Sequence, residues 1–421
     1  MNQYTKLIWR VKREILHFSE KICVGVKKPV QKLVSNLLYG ILESGSCHLS
    51  KISRALKEDI SLKKTIERLS CGLRGFSAKD AEQLLKNHVQ MVRTETDGRT
   101  IYVVDGSDVT KPHSEKLESL ALVRDGSTGE IKKGYFTLEI VALTAGSKSP
   151  LPVYDRVYSA VEEDFVSEDE EVLKGLRYLS ENMGDQGVRT MDRGYDALVY
   201  YEYFLGNREK FIIRATKKRS LHYKNETVNI LTLAKRFKGK YRLDFKDKKG
   251  KTISCKTSII PVALPKRPKI LLNLVVVYGF GKDPMLLLTN LKSDDSRLAN
   301  TIAKVYLMRW RIEEYFRFKK QQYAWEDFRV RSLNAIRMLH RVLTLLTGLI
   351  GMLSEKRAES LLVMELIAVS KRIYPPKREK AARKFLHYAI GDAFAFLLRR
   401  STVGIARFLS PPQPSPQLSL F

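Results

Sequence analysis

One stretch of the chain carries a phenol, a guanidinium, a carboxylate and an ammonium at helical spacing. It reads YLMRWRIEEYFRFKK, and the four groups belong to Tyr306, Arg309, Glu313 and Lys320. Offsets of three, four and seven residues place them on one face of an α-helix. There a carboxylate can bind a metal ion while cationic neighbours hold phosphates. The alternative is a solvated helix with ion pairs between residues four apart, and the stretch alone favours neither.

Two aspartates stand at the ends of apolar segments earlier in the chain. Asp105 follows the β-rich run 100–104, a strand we expect to stop at Asp105-Gly106-Ser107, and Asp192 precedes a turn at 193–195. An aspartate after a strand usually belongs to turn chemistry, so neither is specific alone. Phosphodiester cleavage by two cations about 4 Å apart, however, needs carboxylates that converge at the ends of rigid elements. The two aspartates and Glu313 are therefore a candidate set.

The elements that must position these acids alternate between strand and helix patterns, which argues for a mixed α/β core. Residues 220–290 are strand-like and turn-rich, with a turn at 247–250, and indicate a β-strand insertion. Helical spacing returns at 296–323, which we expect to be one helix through Tyr306 to Lys320, and again at 333–405. The expected core strands lie at 100–104, 135–141, 151–158, 187–191 and 210–215, with helices at 168–183 and 197–206.

We divide the chain into six regions. The basic, helical N-terminal region could hold a helix-turn-helix at 49–57 and 62–69, although ordinary helical bundles show the same pattern. The regions are 1–95, helical and DNA-binding; 96–219, first part of an α/β core; 220–290, β-rich insertion; 291–345, core with the Glu313 helix; 346–409, helical C-terminal region; and 410–421, a Pro/Ser/Gln-rich disordered tail.

The charge of the chain indicates a polyanionic partner. Its 421 residues carry 75 Lys and Arg against 46 Asp and Glu, a formal net charge of +29. Nucleic acid is the leading candidate, because lysines and arginines that neutralise phosphates release counterions. An anionic membrane is the alternative, but no basic amphipathic segment with a Trp-rich apolar face is present. The best apolar run, 342–353, is short of the roughly 20 residues that span a bilayer.

The cysteines and histidines do not indicate a metal site. The four cysteines show no CxxC spacing, and the seven histidines are scattered, so we expect no zinc. The N-terminus carries charge before any apolar run develops, so no signal peptide is expected. A reducing, cytoplasmic setting is consistent with these features.

The spacing of the first stretch is the YREK signature, and the chain resembles a DDE transposase of insertion-sequence family four. The run RWRIEE that begins at Arg309 is especially similar, and so are VVDGS around Asp105 and MDRGY around Asp192. The resemblance covers about residues 50–345. It implies an RNase H-like α/β core interrupted by the β insertion, two Mg²⁺ ions with Mn²⁺ as a substitute, and cut-and-paste transposition of double-stranded DNA.

The resemblance also implies roles for particular residues. Asp105, Asp192 and Glu313 would be the catalytic metal ligands. Asp108 and Glu314 lie beside these acids but outside the signature, since Glu314 points about 100° around the helix from Glu313. The residues that would bind DNA are Tyr306, Arg309 and Lys320 near the scissile bond, Arg214 near the transposon end with Arg193 an equal competitor on charge, and Arg317.

One position departs from the family pattern. Relatives that pass through a DNA hairpin stack a flipped base on a Trp of the β insertion, where this chain has Met285. Tyr278 or Phe280 could stack a base instead. We expect Trp310 and Trp325 to pack in the core. His340 does not form the HxxR pair of tyrosine recombinases, because the place of that arginine holds a leucine.

The expected reaction is metal-dependent hydrolysis at the transposon end, followed by attack of the freed 3′-hydroxyl on target DNA. Two ends must be paired, so the mechanism implies a homodimer or a larger synaptic complex in a prokaryotic cytoplasm, associated with the nucleoid. One alternative is a nuclease or resolvase of the same fold, which cuts without joining. Another is a catalytically silent DNA-binding protein derived from a transposase.

Overall fold

The computed structural model describes residues 4–126, 128–145, 149–246, 252–292, 297–356, 360–375, 379, 382 and 384–406. The chain begins with helices that pack on one another and on helices near its C-terminus. The predicted pair of short helices at 49–57 and 62–69 is present, and Ile52, Leu69 and Leu73 bury their apolar faces. The helices are α1 Thr5–Ile22, α2 Lys28–Ser44, α3 Leu49–Ala55, α4 Leu62–Arg74 and α5 Ala78–Arg93.

The centre of the molecule is a large mixed sheet. Its core strands lie in the order β4-β3-β1-β5-β6. Strand β3 runs antiparallel to β1 and β4, whereas β1, β5 and β6 are mutually parallel. This is the strand arrangement of an RNase H-like core, so the predicted fold class is confirmed. The strands are β1 Ile101–Thr110, β2 Ala121–Arg124, β3 Ile131–Leu143, β4 Leu151–Tyr158, β5 Val188–Met191 and β6 Phe211–Arg214.

The predicted insertion extends the core sheet. Its last strand pairs antiparallel with β6, so the described strands form one sheet of 12. The predicted turn at 247–250 lies outside the described residues. The inserted elements are β7 Ser220–Tyr223, β8 Glu226–Asn229, α8 Ile230–Lys235, β9 Tyr241–Lys246, β10 Thr252–Leu264, β11 Arg267–Tyr278 and β12 Met285–Thr289.

Helices cover both faces of the sheet and complete the molecule. A one-turn 3₁₀ helix at Arg193–Tyr195 follows β5, and another lies at Trp325–Asp327. Parts of the stretch 333–405 that was predicted to be helical fall outside the described residues, and the tail 410–421 falls wholly outside them. The remaining helices are α6 Glu168–Met183, α7 Leu198–Gly206, α9 Leu298–Met308, α10 Trp310–Gln322, α11 Leu333–Glu355, α12 Leu361–Ile373 and α13 Leu386–Arg399.

The prediction of one helix through Tyr306 and Lys320 is wrong, because the helix breaks at Arg309. Arg309 keeps helical dihedrals, with φ −51° and ψ −32°. The hydrogen bonds around it nevertheless span three residues, from Arg309 N to Tyr306 O and from Ile312 N to Arg309 O, each 3.0 Å. Such bonds tighten the backbone relative to an α-helix. The α-helical hydrogen-bond pattern is therefore interrupted at Arg309.

Alternation along β1 decides which face of the sheet carries Asp105. Val104 packs in the cluster that contains α6, whereas Val103 packs against Ile312 and Tyr315 of α10. Side chains two residues apart on a strand share a face. Asp105 therefore points to the α10 side.

Helix α11 is long and apolar enough to span a membrane, and it is longer than the apolar run 342–353 identified in the sequence. Within the described part of the chain no other helix meets both conditions. Of its most apolar window, 83% is buried inside the protein, between the N-terminal helices and the sheet. It is the central helix of the core.

Candidate active site

The three predicted acids meet around one guanidinium. Arg309 donates to Asp105 Oδ2 at 2.6 Å and to Glu313 Oε1 at 3.0 Å. Its Nη2 also lies 3.8 Å from Asp192 Oδ2. The Arg309 side chain is only 5% exposed, while those of Asp192 and Glu313 are 33% and 38% exposed. Asp192 and Glu313 are therefore partly accessible to solvent, while the guanidinium between the acids is buried.

Asp105 and Asp192 are neighbours because β1 and β5 stop pairing at the same level. The parallel ladder ends with Val104 opposite Met191, so the next residue on each strand is an aspartate. The expectation that β1 stops at Asp105 is wrong: the strand continues to Thr110 because β3 still pairs with it, Asp105 opposite Glu139. Asp105 thus still pairs with β3, but it lies one residue beyond the last pair between β1 and β5.

The helices before and after the break at Arg309 each contribute to the site, α9 through Tyr306 and α10 through Glu313. Tyr306 lies at the end of α9, is 1% exposed, and donates its hydroxyl to Asp192 Oδ1 at 2.9 Å. Glu313 lies in the first turn of α10. Arg214, the last residue of β6, lies 4.0 Å from Asp192 Oδ1. Each acid therefore has at least one donor or cation beside it.

Three other predicted residues stand outside this group. Lys320 donates to the Asp108 carbonyl at 2.8 Å and pairs with Glu326 at 3.0 Å. Arg317 pairs with Glu314 at 2.6 Å, and Arg193 is exposed in the turn after Asp192. An open cleft beside Glu313 is lined by Ser107, Glu313, Phe316, Arg317, Lys320, Gln321 and Glu326.

The excluded acids have partners of their own. The Asp108 carboxylate accepts from Gly126 N at 3.1 Å, and Glu314 pairs with Arg317. Neither is among the carboxylates that contact Arg309 in the described structure.

The electrostatics of the group are dominated by burial and by the shared guanidinium. Burial raises the pKa of Asp105 to about 7; Arg309 opposes the rise, while Asp192 and Glu313 add to it. Burial acts in the same sense on Asp192, but Arg309, the Arg193 amide and Tyr306 outweigh it and lower the pKa of that carboxyl. Burial disfavours the charge of Arg309, yet the acids hold its pKa above the usual value. Two aspartates side by side thus differ in their affinity for a proton.

The donor set is the one that a hard divalent cation prefers. All three side chains offer carboxylate oxygens, as Mg²⁺ requires, and they enclose a single positive group. Across the described residues no three acid, His or Cys side chains stand ready to hold a metal ion, and here the guanidinium lies between the three acids. The residues fit a metal chemically, provided that the Arg309 side chain withdraws.

A buried ion network behind the site has no counterpart in the sequence-based predictions. We define it as Glu139, Lys319, His340 and Asp155, each at most 3% exposed. Lys319 Nζ donates to both Glu139 oxygens, at 2.8 and 2.9 Å. His340 lies 3.2 Å from Glu139 and 3.3 Å from Asp155. The available signal was a glutamate inside the apolar run 138–143 and a histidine inside an apolar helix. His340 is thus part of the core.

The two tryptophans of the C-terminal half and Met285 differ in how far they are buried. Trp325 is 2% exposed and packs on Phe328, which confirms its predicted place in the core. Trp310 is half-buried, with its ring 5.5 Å from that of Phe280. Met285 is 2% exposed.

Tyr278, the other residue considered for stacking, donates its hydroxyl to Ala234 O at 2.7 Å. At the expected place of the family Trp, Met285 is buried, whereas Tyr278 and Phe280 are half-buried.

The chain belongs to the transposase DDE domain family, whose sequence profile matches residues 96–347, more than half of its length. That match contains all three acids and the whole insertion. Among solved structures, the piggyBac transposase synaptic complex with hairpin DNA is similar over 97% of this chain and 85% of that one, with 12% identity and a TM-score of 0.47. No curated protein matches the chain.

Proposed function

We propose that this transposase cleaves DNA at transposon ends and joins the freed 3′-hydroxyl to target DNA, using Asp105, Asp192 and Glu313. The observation that supports the proposal is the convergence of three acids, distant in sequence, on one guanidinium at 2.6, 3.0 and 3.8 Å. A structural ion pair needs one acid for one arginine, whereas three partly solvent-facing acids leave an excess of negative charge. Such an excess suits cation binding.

The three carboxylates would hold two Mg²⁺ ions, or Mn²⁺ in their place. Bound there, the ions would activate the attacking oxygen and stabilise the leaving oxygen of a phosphodiester. Asp105 lies on β1 and Asp192 directly follows β5, and Tyr306 holds Asp192 by a hydrogen bond. Arg309 would exchange its carboxylate contacts for a phosphate contact, since a planar guanidinium binds either group through two parallel hydrogen bonds.

The surrounding residues supply donors for the DNA backbone. Lys320 and Arg317 line the open cleft next to Glu313, and Arg193 and Arg214 flank Asp192 on the other side. A duplex that crosses the site would meet cations on both sides of the acids. Their role is to position the phosphates, and sequence selectivity has to come from elsewhere.

The proposal extends to the assembly and its setting. Paired cutting of two ends requires two active sites, so we propose a homodimer or a larger synaptic complex on double-stranded DNA. A prokaryotic cytoplasm, with the protein associated with the nucleoid, fits the strong positive charge. The helical N-terminal region, the core in two parts and the C-terminal helices are our proposed functional division of the chain.

The test compares neighbouring acids of the same type. Glu313→Gln and Asp192→Asn should abolish Mg²⁺-dependent nicking of DNA that borders the coding region, while Glu314→Gln and Asp108→Asn should keep it. DNA binding, measured by fluorescence anisotropy, should survive in all four. Nicking that persists in Glu313→Gln would contradict the proposal.

Two further outcomes separate the alternatives. A pre-cut end with a free 3′-hydroxyl, mixed with target plasmid, should become joined to it. Cleavage without joining would indicate the nuclease or resolvase. DNA binding without either reaction in Mg²⁺ or Mn²⁺ would indicate a silent DNA-binding protein.

A further inference from the structure

The sheet projects beyond the active site as a narrow ribbon. Strand β1 continues five residues past Asp105, and the first residues of β3 pair with β2 beyond that point. In this ribbon Leu122 stands opposite Lys133, and Arg124 stands opposite Ile131. Directly opposed residues and residues two apart share a face. We call the surface formed by these four side chains the ribbon face.

The ribbon face is built of exposed aliphatic residues that the core does not use. Leu122 is 67% exposed and Ile131 is 63% exposed. Ala121 and Val123, which alternate with Leu122 on the same strand, are 4% and 1% exposed and satisfy the packing below. The two exposed aliphatic side chains are diagonal neighbours across the strands, about 7–8 Å apart. They form one small apolar patch.

The other diagonal of the ribbon face is cationic. In the described structure no acid lies within ion-pair distance of Arg124 or Lys133. The acids of the ribbon are instead engaged on the opposite face, where Lys132 pairs with Asp125 at 2.7 Å and with Glu130 at 3.0 Å. The ribbon face thus presents two cations and two aliphatic groups without a negative charge. This charge pattern suits a polyanion that also has apolar groups.

The ribbon face lies on the same side of the sheet as the acids. Alternation along β3 carries Ile131 and Lys133 to the face that bears Glu139, the residue opposite Asp105. Lys133 precedes Glu139 by six residues, which is about 20 Å along a strand. Duplex DNA rises 3.4 Å per base pair, so this distance corresponds to roughly six base pairs.

We propose that the ribbon face docks in the major groove of the bound duplex, roughly six base pairs from the phosphate held at the acids. This inference rests on the proposed function. A major groove about 12 Å wide accepts a two-stranded ribbon, and thymine methyl groups are its apolar feature. Leu122 and Ile131 would contact those methyl groups, while Arg124 and Lys133 reach phosphates on either side of the groove.

The first experiment measures the salt dependence of binding to a duplex of the DNA that borders the coding region. Each phosphate contact contributes about −0.9 to the slope of log K against log salt. The double variant Arg124→Ala/Lys133→Ala should therefore lose about 1.8 from that slope. Lys132→Ala, on the opposite face, should leave it unchanged. An unchanged slope in the double variant, or an equal loss in Lys132→Ala, would overturn the proposal.

The second experiment tests the apolar contact with DNA whose thymines are replaced by uracil, which lacks only the methyl group. The wild-type protein should bind the uracil duplex several-fold more weakly. The double variant Leu122→Ser/Ile131→Ser should bind both duplexes equally, and circular dichroism should show it folded. Equal binding of both duplexes by the wild type would overturn the contact.

A different failure would implicate a second protein copy. Sedimentation that shows the Leu122→Ser/Ile131→Ser protein dissociated, with its DNA binding intact, would assign the ribbon face to a protein interface and overturn the proposal. Failure of the proposed function is separately visible, since the wild type would then not nick DNA in Mg²⁺. If the wild type nicks and the ribbon variants bind normally, only the ribbon proposal falls.

Discussion

Substitution of Lys319 by Met should destabilise the protein strongly, because it removes the only lysine of the buried ion network. Lys319 and Glu139 are each 2% exposed, and the ammonium donates to both carboxylate oxygens and to Thr344. Removal of one partner from a buried pair costs about 3–5 kcal/mol, since the other charge stays buried. Glu139 keeps the Tyr315 hydroxyl at 2.6 Å and His340 at 3.2 Å. We therefore expect the lower end, about 3 kcal/mol.

The assay is equilibrium unfolding in urea, followed by circular dichroism. The matched control is Lys63→Met, an exposed lysine of α4, which should change the unfolding free energy by less than about 0.5 kcal/mol. The double variant Lys319→Met/Glu139→Gln should recover most of the loss, because no buried charge is then left unpaired. A loss below about 1 kcal/mol in Lys319→Met, or no recovery in the double variant, would refute this account of the network.

Three further predictions follow from the structure. Arg309→Lys should impair plasmid nicking in Mg²⁺ as severely as Arg309→Met, since one ammonium cannot reproduce the guanidinium fork; near-wild-type nicking by the lysine variant would argue against it. Gly348→Ala should lower the free energy of unfolding by about 1–3 kcal/mol, because the added Cβ would lie 2.4 Å from the His88 ring. Thermal unfolding should show this loss, whereas Gly98→Ala, whose Cβ would meet no atom within 4 Å, should be neutral. Burial lowers the pKa of His88 to about 4, so the stability that the neutral side chain provides is complete above pH 6.5 and is lost as the pH falls towards 4. The free energy of unfolding at pH 5 should therefore be lower than at pH 7 by about 2 kcal/mol through this residue. An equal pH effect in His88→Asn would contradict this account.

The residues of the site could be predicted from the sequence, but the break in the helix that carries them could not. The offsets from Tyr306 to Glu313 survive in the structure because a single turn with tighter hydrogen bonds at Arg309 still leaves those side chains on one side. The break itself was not predictable, since YLMRWRIEE holds no proline or glycine to mark it. Strand β12 falls within the insertion predicted to be strand-rich, where four apolar residues and a threonine are flanked by turn residues.

Features that depend on distant neighbours were missed. The strand that holds Asp105 continues to Thr110 because it pairs with β3, from Asp105 opposite Glu139 to Thr110 opposite Gly134, and local propensity does not reveal such distant partners. The burial of Lys319 could not be predicted either, because in the sequence it is one of several cations on a charged helix. Its burial depends on the meeting of β3 with α10 and α11, so no window of sequence could separate it from its exposed neighbours.

The seam between β6 and β12 limits which parts can move during a reaction cycle. Arg214, Ile213 and Ile212 are paired through the backbone with Leu287, Leu288 and Thr289. The inserted strands cannot move independently of the core sheet unless these backbone hydrogen bonds break. In the proposed reaction, a duplex whose strands are cut one after the other would therefore have to move relative to this sheet.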